Sequence, residues 1–439
     1  MNSICKYKFK HRTYALLLAF PLVLTGCNVK NIPLVGKLLG GGTPEVKNVS
    51  LAIWGLWETE DTLKPILQKY TTEHPNIKIA YEDRSIMPLV DYKERVFTRA
   101  FEGTKPDIVL AHASWIPRLV AGGGAVPVPE GVLDKGYLDT NFFPVVKETG
   151  VIGGNLYSLP STYDGLVLIY NKRHFESAGI TKPPVDWEEF RRDAISLTVR
   201  NTTGPESASL IRAGAAVGLA DNIDHFSDVL GLMWVQAGVK IPEELDTDQA
   251  KDALTFYTNF VKEDGVWNAS MPESVVAFAE EKVSMILVPT WRLYELLSNM
   301  QDPTVIGVAE VPQALQDTPV TWATYWTWVV LKSSPNPNES WDIVKYLTDA
   351  EQQTALFSEA SKIRPFGSIY SNVALAQNLS TNGYLKAAIE SAPYAKTVEI
   401  AGRVGNRRQC DALKQAVNDV IGGKSVGEAL SAAKATILQ

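Results

Sequence analysis

The chain has 439 residues, of which 45% are apolar and 21% are charged, and its formal net charge is −7. This length exceeds what one hydrophobic core usually holds, so we expect two lobes or domains. Four cations precede Cys27, so the formal charge of the remainder is about −11. Such an acidic chain is a poor partner for nucleic acid or for an anionic lipid surface.

The first 26 residues have the pattern of a bacterial export signal. A basic segment is followed by the apolar run Ala15–Leu24, which is shorter than the roughly twenty residues that a membrane-spanning helix needs. The sequence Leu24-Thr25-Gly26-Cys27 resembles the bacterial lipobox, whose cysteine is acylated and becomes the new N-terminus. We therefore expect residues 1–26 to be removed and Cys27 to carry the lipid.

This lipid is expected to hold the protein on the outer face of the bacterial cell membrane and to be its only membrane contact. The glycine-rich residues 27–48 are predicted to form a flexible tether. Cys27 and Cys410 are the cysteines left after processing, and acylation uses Cys27. An internal disulfide is thus excluded, and Cys410 is expected to be a small buried residue.

Strands and helices alternate from residue 48 onward. The expected strands of the first part are 50–54, 77–81 and 107–110, with helices around 63–70, 89–101 and 115–120. Pro65 fits its helix only within the first turn, which requires Asp61 or Thr62 as the N-cap. The alternation predicts parallel strands with crossover helices in an α/β sheet.

A second alternating set follows residue 160. The expected strands are 165–170, 283–288, 305–308 and 326–331, and the expected helices include 248–261, 273–281 and 340–347. Two further helices have capping boxes, one formed by Asp186 with Glu189 and the other by Ser425 with Glu428. The last helix extends to Ile437 along one apolar stripe.

Four ordered blocks carry a family resemblance. They are residues 106–128, 155–184, 278–291 and 340–353. The second block is the most specific, with Asn155-Leu156-Tyr157-Ser158-Leu159-Pro160 followed by Tyr170-Asn171-Lys172. Together the blocks resemble family 1 extracellular solute-binding proteins, the receptors of bacterial sugar-type ABC importers. The chain departs from this pattern at 323–326, where many relatives have a Gly-Gly pair, and within residues 196–225.

The resemblance implies an α/β fold of two hinged lobes, the type II periplasmic-binding-protein-like fold, with the ligand cleft between them. Lobe 1 would comprise residues 49–160 and 304–339, and lobe 2 residues 161–303 and 340–439. Ligand would bind at the carboxyl ends of strands and favour lobe closure. The resemblance also implies ABC permease subunits as partners, and we expect a monomer.

Tryptophan supports a sugar ligand, because the apolar C–H face of a pyranose stacks on a flat ring while its hydroxyls need fixed polar partners. The chain has eleven tryptophans, several at predicted strand ends. Trp54 and Trp328 are expected in the core, and Trp187 and Trp341 as packing residues. The predicted ligand-binding residues are Trp57, Glu58, Ser114, Trp115, Tyr163, Asp164, Trp234, Trp291, Arg292, Tyr325, Trp326 and Arg364.

Some of these residues have alternative roles. Trp234 fits the core as well as the cleft, and Trp291 occupies the position at which the family usually stacks its ligand. Glu58, Asp164 and Arg292 fit surface charges or an interlobe ion pair equally well. Paired carboxylates beside aromatic residues would also suit a glycosidase.

The sequence lacks the motifs of other enzyme classes. Its five histidines show no metal-ligand spacing, and neither a Gly-x-Ser-x-Gly elbow nor a phosphate-binding loop occurs. We therefore expect no metal, no cofactor and no enzymatic activity, with ATP hydrolysed by a separate subunit. The predicted function is capture of a mono- or oligosaccharide for an ABC permease. A tethered receptor for a sensor, or a receptor for a glycerol phosphate ester or a polyamine, remain as alternatives.

Overall fold

A computed structural model of the chain describes residues 47–103, 105–203, 209–367, 369–402 and 406–438. The predicted signal and Cys27 lie outside the described residues, as does the tether except for its last two residues. From Asn48 onward the chain forms one compact unit. Within the described ranges, no helix has the length and apolar character needed to cross a membrane.

The strands, in chain order, are β1 (Val49–Gly55), β2 (Ile77–Asp83), β3 (Ile108–His112), β4 (Val151–Ile152), β5 (Asn155–Leu156), β6 (Leu159–Pro160), β7 (Thr162–Tyr163), β8 (Leu166–Asn171), β9 (Val199–Arg200), β10 (Leu210–Ala215), β11 (Val283–Pro289), β12 (Ile306–Ala309), β13 (Thr321–Trp322), β14 (Trp326–Val330), β15 (Ile369–Tyr370) and β16 (Ala395–Lys396).

The α-helices are α1 (Glu60–Glu73), α2 (Leu89–Glu102), α3 (Ile116–Ala121), α4 (Tyr137–Asn141), α5 (Pro144–Gly150), α6 (Lys172–Ser177), α7 (Trp187–Leu197), α8 (Phe226–Gln236), α9 (Asp248–Lys262), α10 (Ser274–Ala279), α11 (Arg292–Asn299), α12 (Pro337–Thr348), α13 (Ala350–Ala360), α14 (Val373–Ala376), α15 (Lys386–Ser391), α16 (Arg407–Ile421) and α17 (Val426–Leu438). Short 3₁₀ turns lie at Ala113–Trp115, Pro303–Val305, Gln377–Leu379 and Ala392–Tyr394.

Two five-stranded sheets organise the molecule. The first has the order β2-β1-β3-β14-β6 and the second the order β12-β8-β11-β10-β9. Strands β2, β1 and β3 are parallel, as are β10 and β11, whereas β14, β6, β8 and β9 run antiparallel to their neighbours. The expectation of parallel strands therefore holds for only part of each sheet, and both sheets are mixed.

The sequence analysis assigns residues 304–339 to lobe 1, and the strand pairing does not support that boundary at residue 304. Strand β12 pairs with β8 in the second sheet, so the chain returns to the first sheet only after it. Helices α12 and α13 also differ from the prediction, because they pack on β14, β6 and α1 of the first sheet. Such strand pairing is non-local and leaves no signature within the strand itself.

Three segments run between the two sheets, and two small sheets join them. Strand β7 in the first segment pairs with β15 in the third, and β13 in the second segment pairs with β16 in the third. An isolated bridge between Gly165 and Ala323 also links the first segment to the second. The three connecting segments are therefore joined to one another by backbone hydrogen bonds.

Local capping confirms two predicted helix starts and corrects a third. Asp186 accepts a hydrogen bond from the Glu189 backbone at 2.7 Å, and Ser425 accepts one from Glu428 at 3.3 Å. Helix α1 starts earlier than expected, because Thr59 is its N-cap. Pro65 thus lies just beyond the first turn, on the exposed face of the helix. Proline has no N–H to donate to the carbonyl four residues before it, and at this exposed position water can take that role.

The core is largely as the sequence indicates. Trp54, Trp187, Trp328 and Trp341 are buried. Cys410 is also buried, and desolvation raises the pKa of its thiol to about 12. Its thiol is therefore protonated at neutral pH and acts as a small core residue.

Candidate functional site

A cavity of about 440 Å³ opens between the two sheets. Trp57 and Glu58 follow β1, Trp115 follows β3, and Trp291 follows β11. The carboxyl ends of these three strands thus meet at the cavity, where open α/β sheets place their ligand sites. The lining side chains include Leu56, Trp57, Glu58, Tyr81, His112, Trp115, Tyr163, Asp164, Asp224, His225, Thr290, Trp291, Arg292, Tyr294, Thr324, Trp326, Trp328, Arg364 and Phe366.

Aromatic rings form the wall on the side of the first sheet. Trp57 lies edge-to-face against Trp326 with 4.6 Å between ring centroids, and Trp326 lies edge-to-face against Trp115 at 5.2 Å. Trp57 remains 46% exposed, and its backbone has a φ of +62°. A bulky residue in the left-handed region is strained, and such strain is typical of functional sites. The hydroxyl of Ser85 accepts the Trp57 backbone N–H and holds this conformation.

Polar and charged groups surround the exposed ring on the side of the second sheet. Trp291 is 44% exposed, and the guanidinium of Arg292 lies 4.2 Å from its ring centroid. The His225 ring lies edge-to-face to Trp291 at 6.0 Å, and its Nδ1 is 2.9 Å from the buried carboxylate of Asp228. Packing and hydrogen bonding together fix this ring.

Asp164 lies at the start of the second wall, where it is half-buried and its carboxylate accepts four hydrogen bonds. Its carboxylate accepts the backbone N–H groups of Gly165, Thr290 and Trp291 and the hydroxyl of Thr290. Desolvation raises the pKa of Asp164 to about 6, although each of these hydrogen bonds lowers it.

The other charged side chains of the cavity are paired. Glu58 forms an ion pair with Arg364, and Arg292 pairs with both Asp224 and Glu295. Burial raises the pKa of Glu58, and the neighbouring Arg364 opposes that shift. Each arginine of the cavity is thus matched by a carboxylate, and the third carboxylate, Asp164, is engaged by the protein's own N–H and O–H donors.

Several polar atoms at the cavity have no hydrogen-bond partner within the described part of the chain. They are the indole N–H of Trp115, the hydroxyl of Tyr163, one carboxylate oxygen of Glu58 and the Nε of Arg364. Leaving a buried polar group unsatisfied costs about 1–3 kcal/mol.

Nine predicted site residues line the cavity together. They are Trp57, Glu58, Trp115, Tyr163, Asp164, Trp291, Arg292, Trp326 and Arg364. The sequence leaves open whether Glu58 and Asp164 bind ligand or form ion pairs. In the structure Glu58 forms an ion pair with Arg364, and Asp164 accepts hydrogen bonds from Thr290 and Trp291.

Three predicted residues do not line the cavity. Trp234 is buried in α8, an apolar helix covered on nearly all sides, where its indole donates to the carbonyl of Ala250 at 3.0 Å. Tyr325 points away from the cavity and bonds Thr149, because neighbouring side chains of an extended segment face opposite sides. Ser114 instead joins a buried network, 2.7 Å from the His112 ring and 2.8 Å from the Asn406 amide.

Sequence reasoning missed other lining residues. His112 is the last residue of β3. The argument that residues at the carboxyl ends of strands reach the cavity, which predicts Trp115, therefore also predicts His112. Tyr294 lies one helical turn after Trp291, which the helix start predicts. Asp224 and His225 fall in the segment without a clear pattern, and no signal in that segment marks them.

Two sheets, three hydrogen-bonded connecting segments and a cavity at strand ends define a two-lobed periplasmic-type binding protein. The family model for bacterial extracellular solute-binding proteins matches residues 57–354. The chain belongs to this family, whose members are non-enzymatic binding proteins of ABC transporters acting outside the cytoplasm. Among the described residues, no His, Cys, Asp or Glu cluster is arranged to hold a metal ion.

Similar proteins agree with this assignment. The "Probable ABC transporter-binding protein" of Deinococcus radiodurans is 24% identical over 296 residues, covering 64% of this chain and 68% of that protein. The sugar-binding protein MalE of Xanthomonas citri has a TM-score of 0.72 at 18% identity, covering 88% and 95% of the two chains. A solute-binding protein of Thermotoga lettingae bound to α-D-tagatose has a TM-score of 0.67 at 21% identity, covering 88% and 98%. These structures share the fold.

Proposed function

We propose that this protein is a lipid-anchored receptor that captures a neutral mono- or oligosaccharide and delivers it to an ABC permease. The observation that carries the proposal is the pair of exposed tryptophans, one on each wall of a cavity that also carries polar side chains. Trp57 and Trp291 offer flat apolar faces, while Glu58, Arg292 and Arg364 offer hydrogen-bonding groups along the same cavity. A sugar ring has both complementary features, an apolar face and fixed hydroxyls.

The engagement of the cavity's charged side chains with one another favours a neutral ligand. A phosphate ester would be recognised by arginines free to form bidentate bonds, yet Arg292 and Arg364 are engaged by carboxylates. A polyamine would be recognised by available carboxylates beside aromatic faces, yet Glu58 and Asp224 are engaged by those arginines. The volume of about 440 Å³ lies within the range of ligand pockets, roughly 300–1,000 Å³.

The connecting segments support capture by lobe closure. We assign lobe 1 to the first sheet with α12 and α13, and lobe 2 to the second sheet with α16 and α17. Ligand contacts from both walls would stabilise the closed state, which makes binding a two-state equilibrium between open and closed lobes. A monomer is sufficient for this mechanism, because one chain supplies both walls.

A thermal-shift screen of the detergent-solubilised full chain tests the ligand class. The panel contains D-tagatose, maltotetraose, mannotriose, glycerol 3-phosphate and spermidine. We expect a neutral saccharide to raise the melting temperature, because a ligand that binds only the folded state stabilises it by mass action. A response to glycerol 3-phosphate or spermidine alone would overturn the neutral-sugar proposal.

Two further measurements test the tether and the partner. Cys27→Ser is expected to abolish incorporation of radiolabelled palmitate and to release the protein from the membrane fraction. Deletion of the gene is expected to abolish uptake of the identified saccharide. Normal uptake together with a lost transcriptional response to that saccharide would favour the sensor alternative over transport.

A further inference from the structure

Asp164 occupies a position that joins the connecting segments to the second wall. It lies between β7 and β8, on the first segment that runs between the sheets. Its backbone carbonyl accepts the Thr324 N–H of the second connecting segment at 3.0 Å. The Thr324 hydroxyl in turn lies 2.9 Å from Nε2 of His112 at the end of β3. Asp164, itself on the first connecting segment, thus bonds to the second by its backbone.

The side chain of Asp164 is committed to the turn that presents Trp291. Oδ1 accepts the Thr290 N–H at 2.9 Å and the Thr290 hydroxyl at 2.8 Å, and Oδ2 accepts the Trp291 N–H at 3.2 Å. This turn joins β11 to α11, whose first residue is Arg292. The Asp164 carboxylate therefore caps this turn although it lies far away in the sequence. It fixes the backbone of Trp291, the residue that carries the exposed indole.

We propose that Asp164 is a positioning residue that sets the orientation of Trp291 in the cavity and thereby the affinity for ligand. The effect on affinity rests on the proposed function, whereas the effect on Trp291 does not. Asp164 acts through hydrogen bonds to the backbone of the turn, so its loss would move the indole. The indole then stacks less well on a sugar face.

The first test observes Trp291 without any ligand. The full chain is labelled with 5-fluorotryptophan, and its ¹⁹F resonances are assigned with Trp291→Phe and Trp57→Phe. Asp164→Asn is expected to shift or broaden the Trp291 resonance and to leave that of Trp57 in place. The amide nitrogen cannot accept a hydrogen bond, so at least one donor of the turn loses its partner.

A matched control is provided by Asp302. It accepts the backbone N–H and the hydroxyl of Thr304 at 3.1 and 2.5 Å, the same pattern that Asp164 makes with Thr290, but it does not line the cavity. Asp302→Asn is expected to leave the Trp291 resonance unchanged. Should Asp164→Asn fail to fold, Thr290→Val removes one donor and is expected to shift the same resonance less.

The second test measures affinity for the saccharide that raises the melting temperature in the panel. Asp164→Asn is expected to reduce affinity at least tenfold at pH 7.5, and Asp302→Asn less than twofold. An unchanged Trp291 resonance would overturn the positioning role, whether or not affinity falls. A shifted resonance in a protein that binds no panel sugar would uphold that role and contradict the proposed ligand class instead.

A pH series separates Asp164 from its neighbours. Tyr163 and Tyr294 face it and stay neutral, because burial raises the pKa of both, and Arg292 and His225 contact Trp291. His225 is present in the wild type and in Asp164→Asn, so the difference between their pH profiles isolates Asp164. We expect wild-type affinity to fall towards that of the variant as pH drops below about 6. Parallel profiles would contradict the proposal.

Discussion

The two walls of the cavity present similar exposed tryptophans but hold them by different physical means. On the first wall, Trp57 is held by edge-to-face packing against Trp326 and by a hydrogen bond from its backbone N–H to the neutral Ser85 hydroxyl, which keeps φ at a strained +62°. On the second wall, Trp291 is held by hydrogen bonds from its backbone to Asp164 and by contacts with charged neighbours. The orientation of Trp57 is therefore expected to be less sensitive to pH than that of Trp291, whose support includes a carboxylate.

The largest expected effect concerns the support behind the second wall. The carboxylate of Asp228 is buried and accepts the Trp322 indole N–H at 2.9 Å and the Gly402 N–H at 3.1 Å, with His225 at 2.9 Å. Asp228→Ala leaves these donors without an acceptor and is expected to lower the free energy of unfolding by about 3 kcal/mol. Chemical denaturation measures this, with the exposed Asp411→Ala as control. A loss equal to that of the control would show that the network is dispensable.

The next prediction compares the titration of the two walls. Desolvation lowers the pKa of His112, at the first wall, to about 4, so the unfolded chain binds this proton more readily. His112 therefore destabilises the fold as pH falls from about 6.5 to 4, by about 2 kcal/mol at pH 4.5. Asp164 changes the free energy of unfolding in the opposite direction, because its pKa is raised in the folded state. The cost of burying its charge is largest at neutral pH and diminishes as pH falls from about 6 to 3.8.

Unfolding curves between pH 4.5 and 7.5 measure these contributions. His112→Gln is expected to flatten the loss of stability on acidification, and Asp164→Asn to steepen it. Equal slopes for the wild type and both variants would show that neither group is buried as the structure places it.

The exposed indole of the second wall is expected to dominate affinity rather than stability. Trp291→Ala removes a 44% exposed ring, so affinity for the saccharide should fall at least tenfold, about 1.4 kcal/mol, with little change in melting temperature. Isothermal titration calorimetry measures the affinity. Unchanged affinity would remove Trp291 from the site.

The smallest effect concerns the strained backbone of the first wall. Both Trp57→Ala and Trp57→Gly remove the indole, but only glycine adopts a φ of +62° without strain. The glycine variant is therefore expected to be more stable than the alanine variant by about 1 kcal/mol. Chemical denaturation of the pair measures the difference. An alanine variant of equal stability would mean that the backbone relaxes away from this conformation.

Much of the fold followed from local patterns in the sequence. The capping residues Asp186 and Ser425 and the buried strands around Trp54 and Val283 are short-range signals, and the structure confirms them. Pairing between distant strands has no such signal, so β12 was assigned to the wrong sheet. The predicted start of α1 is also wrong, because the N-cap is Thr59, two to three residues before the expected Asp61 or Thr62.

The site residues that could be predicted from the sequence are those that directly follow a strand. Residues directly after β1, β3 and β11 reach the cavity because strand ends converge there, which placed Trp57, Trp115 and Trp291. The sequence does not show which way each side chain of this segment points, so it predicts both Tyr325 and Trp326 in the site, although only Trp326 lines the cavity. Asp224 and His225 lie in a segment without periodicity and became visible only through the contacts they make.

Trp57 on the first wall and Trp291 on the second are proposed to contact the same neutral saccharide. Isothermal titration calorimetry of the wild type and of the double variant Trp57→Ala/Trp291→Ala, with the saccharide that raises the melting temperature most, tests this directly. The account predicts saturable one-to-one binding by the wild type and a loss of at least a hundredfold in the double variant, about 2.8 kcal/mol. Equal affinity for the two proteins would place the sugar elsewhere and contradict the account.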